Sequence, residues 1–258
     1  MSSALAGTER SLNGLRVIVT GAGSGIGLAT ARAFANAGAR VGCNHLPDDD
    51  TAIAVITGIE VEFGGAFPLA GNVSVRSSAE QMIADGIAAL GGLDVLVNNA
   101  GTSGTDAPIP FSDLGAISDA LWQTTLDTNL IGAFNCCRAA ENALRAADGA
   151  IVNVASIAGL GGDASSLAYA ASKAALINLT RNLAKGLGPQ VRVNAVAPGL
   201  TRTPWTDDWP VERKANSLKQ TMLGRMVEAE DVAEAVLFLS AQNAITGQTL
   251  QVDCGRMF

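Results

Sequence analysis

Thr20-Gly21-Ala22-Gly23-Ser24-Gly25-Ile26-Gly27 follows directly on the apolar run Leu15 to Thr20 and passes at once into an Ala-rich stretch of helical character, Gly25 to Ala37. A glycine-rich turn between strand and helix lets the backbone approach a pyrophosphate, and the free N–H groups and dipole of the helix N-terminus draw in its charge. The same glycines without flanking strand and helix would be weak evidence; in this setting a tight turn that holds no ligand is the lesser reading. The stretch predicts the first βα unit of a dinucleotide-binding fold, with Gly21, Ser24, Gly25, Ile26 and Gly27 against the phosphates.

Outward from this turn, short β-branched runs alternate with longer Ala-rich segments. Leu15 to Thr20, Arg40 to Asn44, Ala66 to Ala70, Leu93 to Asn98, Ala150 to Ala155, Val191 to Ala197 and Gln248 to Val252 read as strands. Gly25 to Ala37, Asp50 to Phe63, Val75 to Leu90, Ile117 to Ala147, Leu167 to Leu187 and Ala229 to Ser240 read as helices, the last opening on acidic residues as a helix start should. The apolar runs are continuous rather than alternating, which suits strands buried on both faces. The prediction is an α/β, doubly wound, seven-stranded parallel sheet with helices on both faces, Rossmann-like. These elements use nearly the whole chain, so residues 14–258 read as one dinucleotide-binding catalytic domain. Residues 1–13, with neither a basic start nor a long apolar centre, read as a disordered tail. One stretch breaks the rhythm: Gly199 to Met226 carries Pro204, Trp205, Trp209 and Pro210 without a clear period, and is read as a substrate lid.

Composition narrows the function. Nearly half of the 258 residues are apolar (48%), enough for a sizeable core, and a net charge of −7 leaves no basic bulk to meet a nucleic-acid backbone. No apolar run reaches the roughly 18 residues that would span a bilayer. The four cysteines form no CxxC, and Cys136 and Cys137 read as small buried residues on a helix, which suits a reducing, cytoplasmic setting. His45 is the only histidine, so no histidine-rich metal site is available and a Ser-His-Asp triad would have to use that one residue.

In a dinucleotide fold the end of the second strand reads the adenosine ribose, where an acid selects a free 2′-hydroxyl and a cation selects a 2′-phosphate. Counting from the turn places His45 there, between Asn44 and Leu46, with neither Asp nor Arg present. The absence of a fixed positive charge favours NAD over NADP; the rival reading of His45 is an exposed strand-end residue with no ligand role.

Tyr169 is the only tyrosine, and Tyr169-Ala-Ala-Ser-Lys173 lies in a helical stretch, where a spacing of four puts both side chains on one face. A tyrosine that exchanges protons near neutrality must be shifted from its ordinary pKa of about 10, and a nearby ammonium favours the phenolate. A fall of ~3 units would represent ~4 kcal/mol.

With these residues in hand the chain resembles the short-chain dehydrogenase/reductase family from Leu15 to Gly255. The family's TGxxxGxG appears as Thr20 to Gly27, its NNAG as Asn98-Asn99-Ala100-Gly101, its helical asparagine as Asn129, its serine as Ser156, its YxxxK as Tyr169 and Lys173, and its PGxxxT as Pro198-Gly199 through Thr203. The resemblance implies a hydride transfer between a nicotinamide and a small alcohol, sugar or ketone. Tyr169 would give or take the proton, Ser156 would hold the same oxygen, Lys173 would bind the nicotinamide ribose and lower the tyrosine pKa, and Asn129 would hold a relay water. Asn99, Ala100, Gly101, Pro198 and Gly199 would lie along the cofactor, with Thr203 at its carboxamide. Family members are commonly homotetramers built on the helices around Ile117 to Ala147 and Leu167 to Leu187.

Two departures stand out. Many relatives have an aspartate after the third strand that meets the adenine amine; here it is Asn72, followed by Val73, and an amide oxygen can still accept that bond. The late Asp-Gly-Gly is Asp253-Cys254-Gly255. For the substrate, Trp205 and Trp209 are read either as an apolar wall or as packing on their own loop, and Gly161-Gly162 suggests room for a bulky group. The rival activity within the class is reduction of acyl chains on a carrier protein, for which Arg138, Arg145, Arg202 and Arg213 are the available cations, whereas Ala147, Asp148 and Gln190 are not basic. A catalytically silent dinucleotide sensor is the rival outside it. A hydrolase lacks a base for Ser156.

Overall fold

The computed structural model describes residues 10–207 and 209–256. Its order is β1 (Arg16–Val19), α1 (Gly25–Asn36), β2 (Arg40–His45), α2 (Asp50–Phe63), β3 (Ala66–Ala70), α3 (Arg76–Leu90), β4 (Val95–Asn98), α4 (Asp119–Leu126), α5 (Ala133–Ala146), β5 (Ala150–Val154), α6 (Leu167–Leu187), β6 (Arg192–Pro198), β7 (Thr201–Arg202), α7 (Pro204–Asp207), α8 (Val211–Lys219), β8 (Val227–Glu228), α9 (Ala229–Ala241) and β9 (Thr249–Val252). Seven strands form one sheet in the order β3-β2-β1-β4-β5-β6-β9, parallel throughout. The strand order reverses between β1 and β4, and in such sheets a crevice opens at the carboxyl ends of the strands beside that reversal.

Side chains alternate along each strand, so β1 serves both faces. Val17 and Val19 join Phe34 of α1, Ile56 of α2 and Val232 and Val236 of α9 in one core; Ile18 points the other way, to Met82 and Ile83 of α3, Leu144 of α5 and Ile151 of β5. Burial on both faces explains the unbroken apolar runs: every residue of β4 and β5 is buried. At the far end of the sheet, before β4, the Asp94 carboxylate accepts from the Arg16 backbone N–H (2.9 Å), from Arg16 Nε (2.7 Å) and from Arg10 Nη2 (2.5 Å). Burial would raise its pKa, but the hydrogen bonds from Arg16 and the charges of Arg10 and Arg16 hold it below the ordinary carboxylate range.

The expected strands and helices are present with ends displaced by a residue or two. Three expectations change. The run Ile117 to Ala147 is not one α-helix, because a π-helical turn, Asp127–Gly132, joins α4 to α5. Gly199 to Met226 is less irregular than its sequence, since it holds α7, α8 and the short β7-β8 ladder. A second irregular stretch, 101–118, was not singled out by its composition, yet it has only the three-residue 3-10 turn Leu114–Ala116. Of the expected tail, residues 1–9 lie outside the described residues, while Arg10 is fixed by its N–H on the Ala241 carbonyl (3.0 Å) and Leu12 packs against the core. Among the described residues no helix is long and apolar enough to cross a membrane.

Candidate functional site

The turn after β1 is held from three sides. Thr20 Oγ1 accepts from the backbone N–H groups of Asn99 and Ala100 (3.0 Å each), Asn99 Nδ2 donates to the carbonyls of Thr20 (2.9 Å) and Gly21 (3.0 Å), and Asn44 Oδ1 accepts from the Gly21 N–H (3.1 Å). Gly21 sits at φ +62°, where a Cβ would meet Ala100 Cα at 3.0 Å; a Cβ on Gly27 would lie 2.1 Å from the Gly21 carbonyl oxygen. These are positions only glycine fills without displacing the backbone. Ser24 precedes α1 with no capping bond from its side chain, which leaves the first N–H groups of the helix facing the cleft, the arrangement that suits a pyrophosphate.

From this turn a cavity of about 870 Å³ runs along the carboxyl ends of the strands. Gly21, Ser24, Gly25, Ile26, Asn99, Ala100, Gly101, Ser156, Tyr169, Lys173, Pro198, Gly199 and Thr203 all line it, so most of the expected constellation is brought together in one space. A glycine cradle at one end and a tyrosine and lysine at the other fit a dinucleotide laid along the strand ends.

Ser166 begins α6 by accepting from the Tyr169 N–H (3.1 Å), which fixes the helix start beside the cavity. Lys173, on the same face, is buried and donates from Nζ to the Val154 carbonyl (2.8 Å); Nζ lies 5.8 Å from the Tyr169 ring centroid. Ser156, at the end of β5, is hydrogen-bonded to the Tyr169 hydroxyl. The tyrosine pKa is shifted in the direction opposite to the one expected from its lysine. Tyr169 is half-buried and open to the cleft, but the protein around it withdraws the hydroxyl from bulk water and pushes it up to about 12, opposed by the bond to Ser156. The same loss of hydration brings Lys173 down to about 8.

Five expected residues lie outside this cavity: Gly27, which closes the turn against the Gly21 carbonyl, and four others. Asn129, in the π-helical turn, has its amide engaged: Oδ1 accepts from the Thr102 N–H (2.7 Å), and Nδ2 donates to the Thr102 carbonyl (2.9 Å) and to Ser172 Oγ (3.0 Å). It pins the strand end beside Gly101, so a relay water would have to be held by another group of that turn. Asn72 Oδ1 is likewise occupied, by the N–H (3.0 Å) and hydroxyl (2.7 Å) of Ser74 at the start of α3, which removes the acceptor expected to meet an adenine amine. Val73 is a buried core residue whose carbonyl accepts from Asn135 Nδ2 (3.1 Å). His45 is buried, contrary to the exposed alternative, and its Nδ1 lies 2.7 Å from the Leu46 carbonyl oxygen. A carbonyl only accepts, so Nδ1 carries a proton.

The stretch 199–226, expected as a lid, lines the cavity on the side of Tyr169. Trp205 stands edge-on to Tyr169, ring centroids 5.8 Å apart, and Trp209 lies under the Arg213 guanidinium at 4.5 Å; both tryptophans line the cavity. Gly161 and Gly162 do not line it, so the room expected from them is not at the site. The opposite wall, Pro108, Ile109, Pro110 and Phe111, comes from the second irregular stretch, whose lack of period was the one sequence signal available. Ser165 and Arg256 also line the cavity, and nothing in their local sequence marks them.

Fold and site together define an oxidoreductase acting on carbonyl and hydroxyl groups with a nicotinamide cofactor. The comparisons agree. A family profile described as enoyl-(acyl carrier protein) reductase matches residues 21–256. The chain is 36% identical over 242 residues to the 3-oxoacyl-(acyl-carrier-protein) reductase FabG of Staphylococcus aureus, covering 92% of this chain and 96% of that one. It is 35% identical over 250 residues to the FabG of the same description from Thermotoga maritima (95% and 98% covered). The crystal structure of a protein described as a short-chain dehydrogenase/reductase from Burkholderia xenovorans superposes with a TM-score of 0.85 at 32% identity, over 95% of this chain and 98% of that one. The chain belongs to the short-chain dehydrogenase/reductase family.

Proposed function

We propose that this protein interconverts a free small-molecule ketone and alcohol, with Tyr169 as the group that moves the proton. The observation that carries this reading is the meeting of Ser156, Tyr169 and Lys173 in one cavity with the glycine turn. The nicotinamide, when bound, gives or takes the hydride; the remaining work falls to this chain. Tyr169, protonated at neutral pH, would protonate a carbonyl oxygen that Ser156 orients by a second hydrogen bond. Lys173, in the same cavity, would hold the nicotinamide ribose, and its ammonium would stabilise the phenolate left after proton transfer. Such positioned acid-base catalysis contributes about 10² to 10⁴ in rate.

NAD is the proposed cofactor. The chain continues from His45 into Asp48-Asp49-Asp50, carboxylates that would repel a 2′-phosphate. A cytoplasmic homotetramer, with residues 14–258 acting as one domain, is the assembly we propose.

The relatives favour a second reading, reduction of acyl chains on a carrier protein. Against it, three of the four cations named for an acidic carrier are already engaged. Arg145 serves Glu141 and the carbonyls of Gly186 and Leu187, Arg138 serves Asn135 and Glu80, and Arg202 serves Glu228. The test is to titrate NADH and NADPH separately by fluorescence, then to follow their oxidation with free ketones, sugars and acyl thioesters. The proposal expects NADH at least tenfold tighter and a free ketone turned over, with Tyr169→Phe losing 10² or more in kcat/KM while cofactor affinity holds. Tight NADPH binding and turnover of the thioesters alone would establish the second reading; cofactor binding without any turnover would make the protein a sensor.

A further inference from the structure

Two arginines reach the wall of this cavity from places far apart in the chain. Arg213, on α8, donates one N–H to the Ala164 carbonyl (2.9 Å) and lies over Trp209. Arg256 has a side chain only 5% exposed; it donates to Ser217 Oγ of α8 (2.8 Å) and to Asp163 Oδ2 (2.6 Å), and its Nε–H is buried without a partner. Ser165 Oγ, in the same wall, is also buried without a partner. Buried donors are nearly always satisfied in native proteins, so orphans gathered in a cavity wall point to a partner that arrives with a ligand. Among the described residues the only carboxylate on Arg256 is Asp163, itself 76% exposed and free to be exchanged. Burial lowers the Arg213 pKa, Asp163 opposes this, and the charge of Arg256 lowers it further: the two guanidiniums repel each other across the cavity wall.

We infer that the substrate carries an anionic group, a carboxylate or a phosphate, held by Arg213 and Arg256 on the lid side of the cavity while its carbonyl or hydroxyl carbon lies at Tyr169. The inference rests on the oxidoreductase reading given above. Guanidinium forks match both anions in geometry, and a planar group stacked on an aromatic ring is already oriented for them. The apolar wall of Phe111, Trp205 and Trp209 between the two ends then takes the carbon chain of the substrate.

The test is a series of oxo-carboxylic acids of increasing length against their methyl esters, with acetoacetyl-CoA against the uncharged acetoacetyl-N-acetylcysteamine thioester as a second pair. The readout is the ratio of kcat/KM, charged over neutral. In the wild type the ratio should reach about ten to a hundred for at least one length, as charge-assisted hydrogen bonds of this kind provide. Arg256→Gln and Arg213→Gln should each lower it by about tenfold, with Arg256→Lys retaining part of it. Asp163→Asn, which removes the competing carboxylate, should raise it. The free acids showing the preference would place the anion on the substrate itself; the CoA pair alone showing it would place it on a carrier phosphate. A wild-type ratio near one, a ratio indifferent to both arginine variants, or an Asp163→Asn variant that harms charged and neutral substrates alike overturns the inference and makes the cluster a structural pin. If neither charged nor neutral compounds consume NADH or NADPH, the oxidoreductase reading has failed and this inference falls with it.

Discussion

Two segments leave the carboxyl end of the sheet and meet over the same cavity, and they are fixed by different means. The turn Thr20–Gly27 is set by backbone: its glycines stand where a Cβ would collide with Ala100 or the Gly21 carbonyl, and its main-chain groups are tied by Thr20, Asn44 and Asn99. The lid after β6 is set by long side chains: Arg213 to Ala164, Arg256 to Ser217 and Asp163, and Trp205 against Tyr169. A backbone cradle suits the invariant part of a reaction, whereas side-chain ties can be altered one at a time and suit the part that differs between substrates.

If that division is right, damage to the turn abolishes cofactor binding and damage to the lid changes only substrate use. Gly27→Ala, which drives a methyl into the Gly21 carbonyl, should weaken NADH binding on the order of a hundredfold, read by fluorescence titration, with α1 still helical by circular dichroism. Unchanged NADH affinity would break the comparison. Trp205→Ala should raise KM for the substrate roughly five- to tenfold, with NADH affinity within twofold. A parallel loss of NADH affinity would show that the lid belongs to both halves.

The smallest effect on function is expected at the opposite end of the sheet. Asp94→Asn should leave both affinities unchanged and cost stability of roughly 1 to 3 kcal/mol at pH 7, discounted for the partly exposed arginines. Because the folded-state pKa of Asp94 is depressed, this contribution is present above the unfolded carboxylate pKa and is lost as pH falls through the folded one. Urea midpoints of the two proteins should therefore converge in acid; a constant gap would mean that the charge is not what matters.

The same contrast explains what was legible in the sequence. Glycine spacing, continuous apolar runs and the four-residue step from Tyr169 to Lys173 are local, and the doubly wound parallel sheet and the shared helix face of that pair follow from them. The cysteines Cys136 and Cys137, read as buried, are buried. What depended on the partner side chains was not legible. The Asn129 and Asn72 amides are claimed by Thr102, Ser172 and Ser74, and His45, at the end of β2, is buried. Arg256 is beyond any spacing argument, since it meets Asp163 93 residues away and Ser217 39 residues away.

The π-helical turn between α4 and α5 has an effect on the whole helical rod. Each residue advances an α-helix by about 100°, so a turn closed one residue later resets the phase of everything after it. Before the turn Leu121 and Thr125 face inward; after it Cys136, Ala140 and Leu144 do. The turn acts as a gear tooth that takes up one extra residue in a single turn, so that both halves of the rod keep their buried faces on the body of the protein.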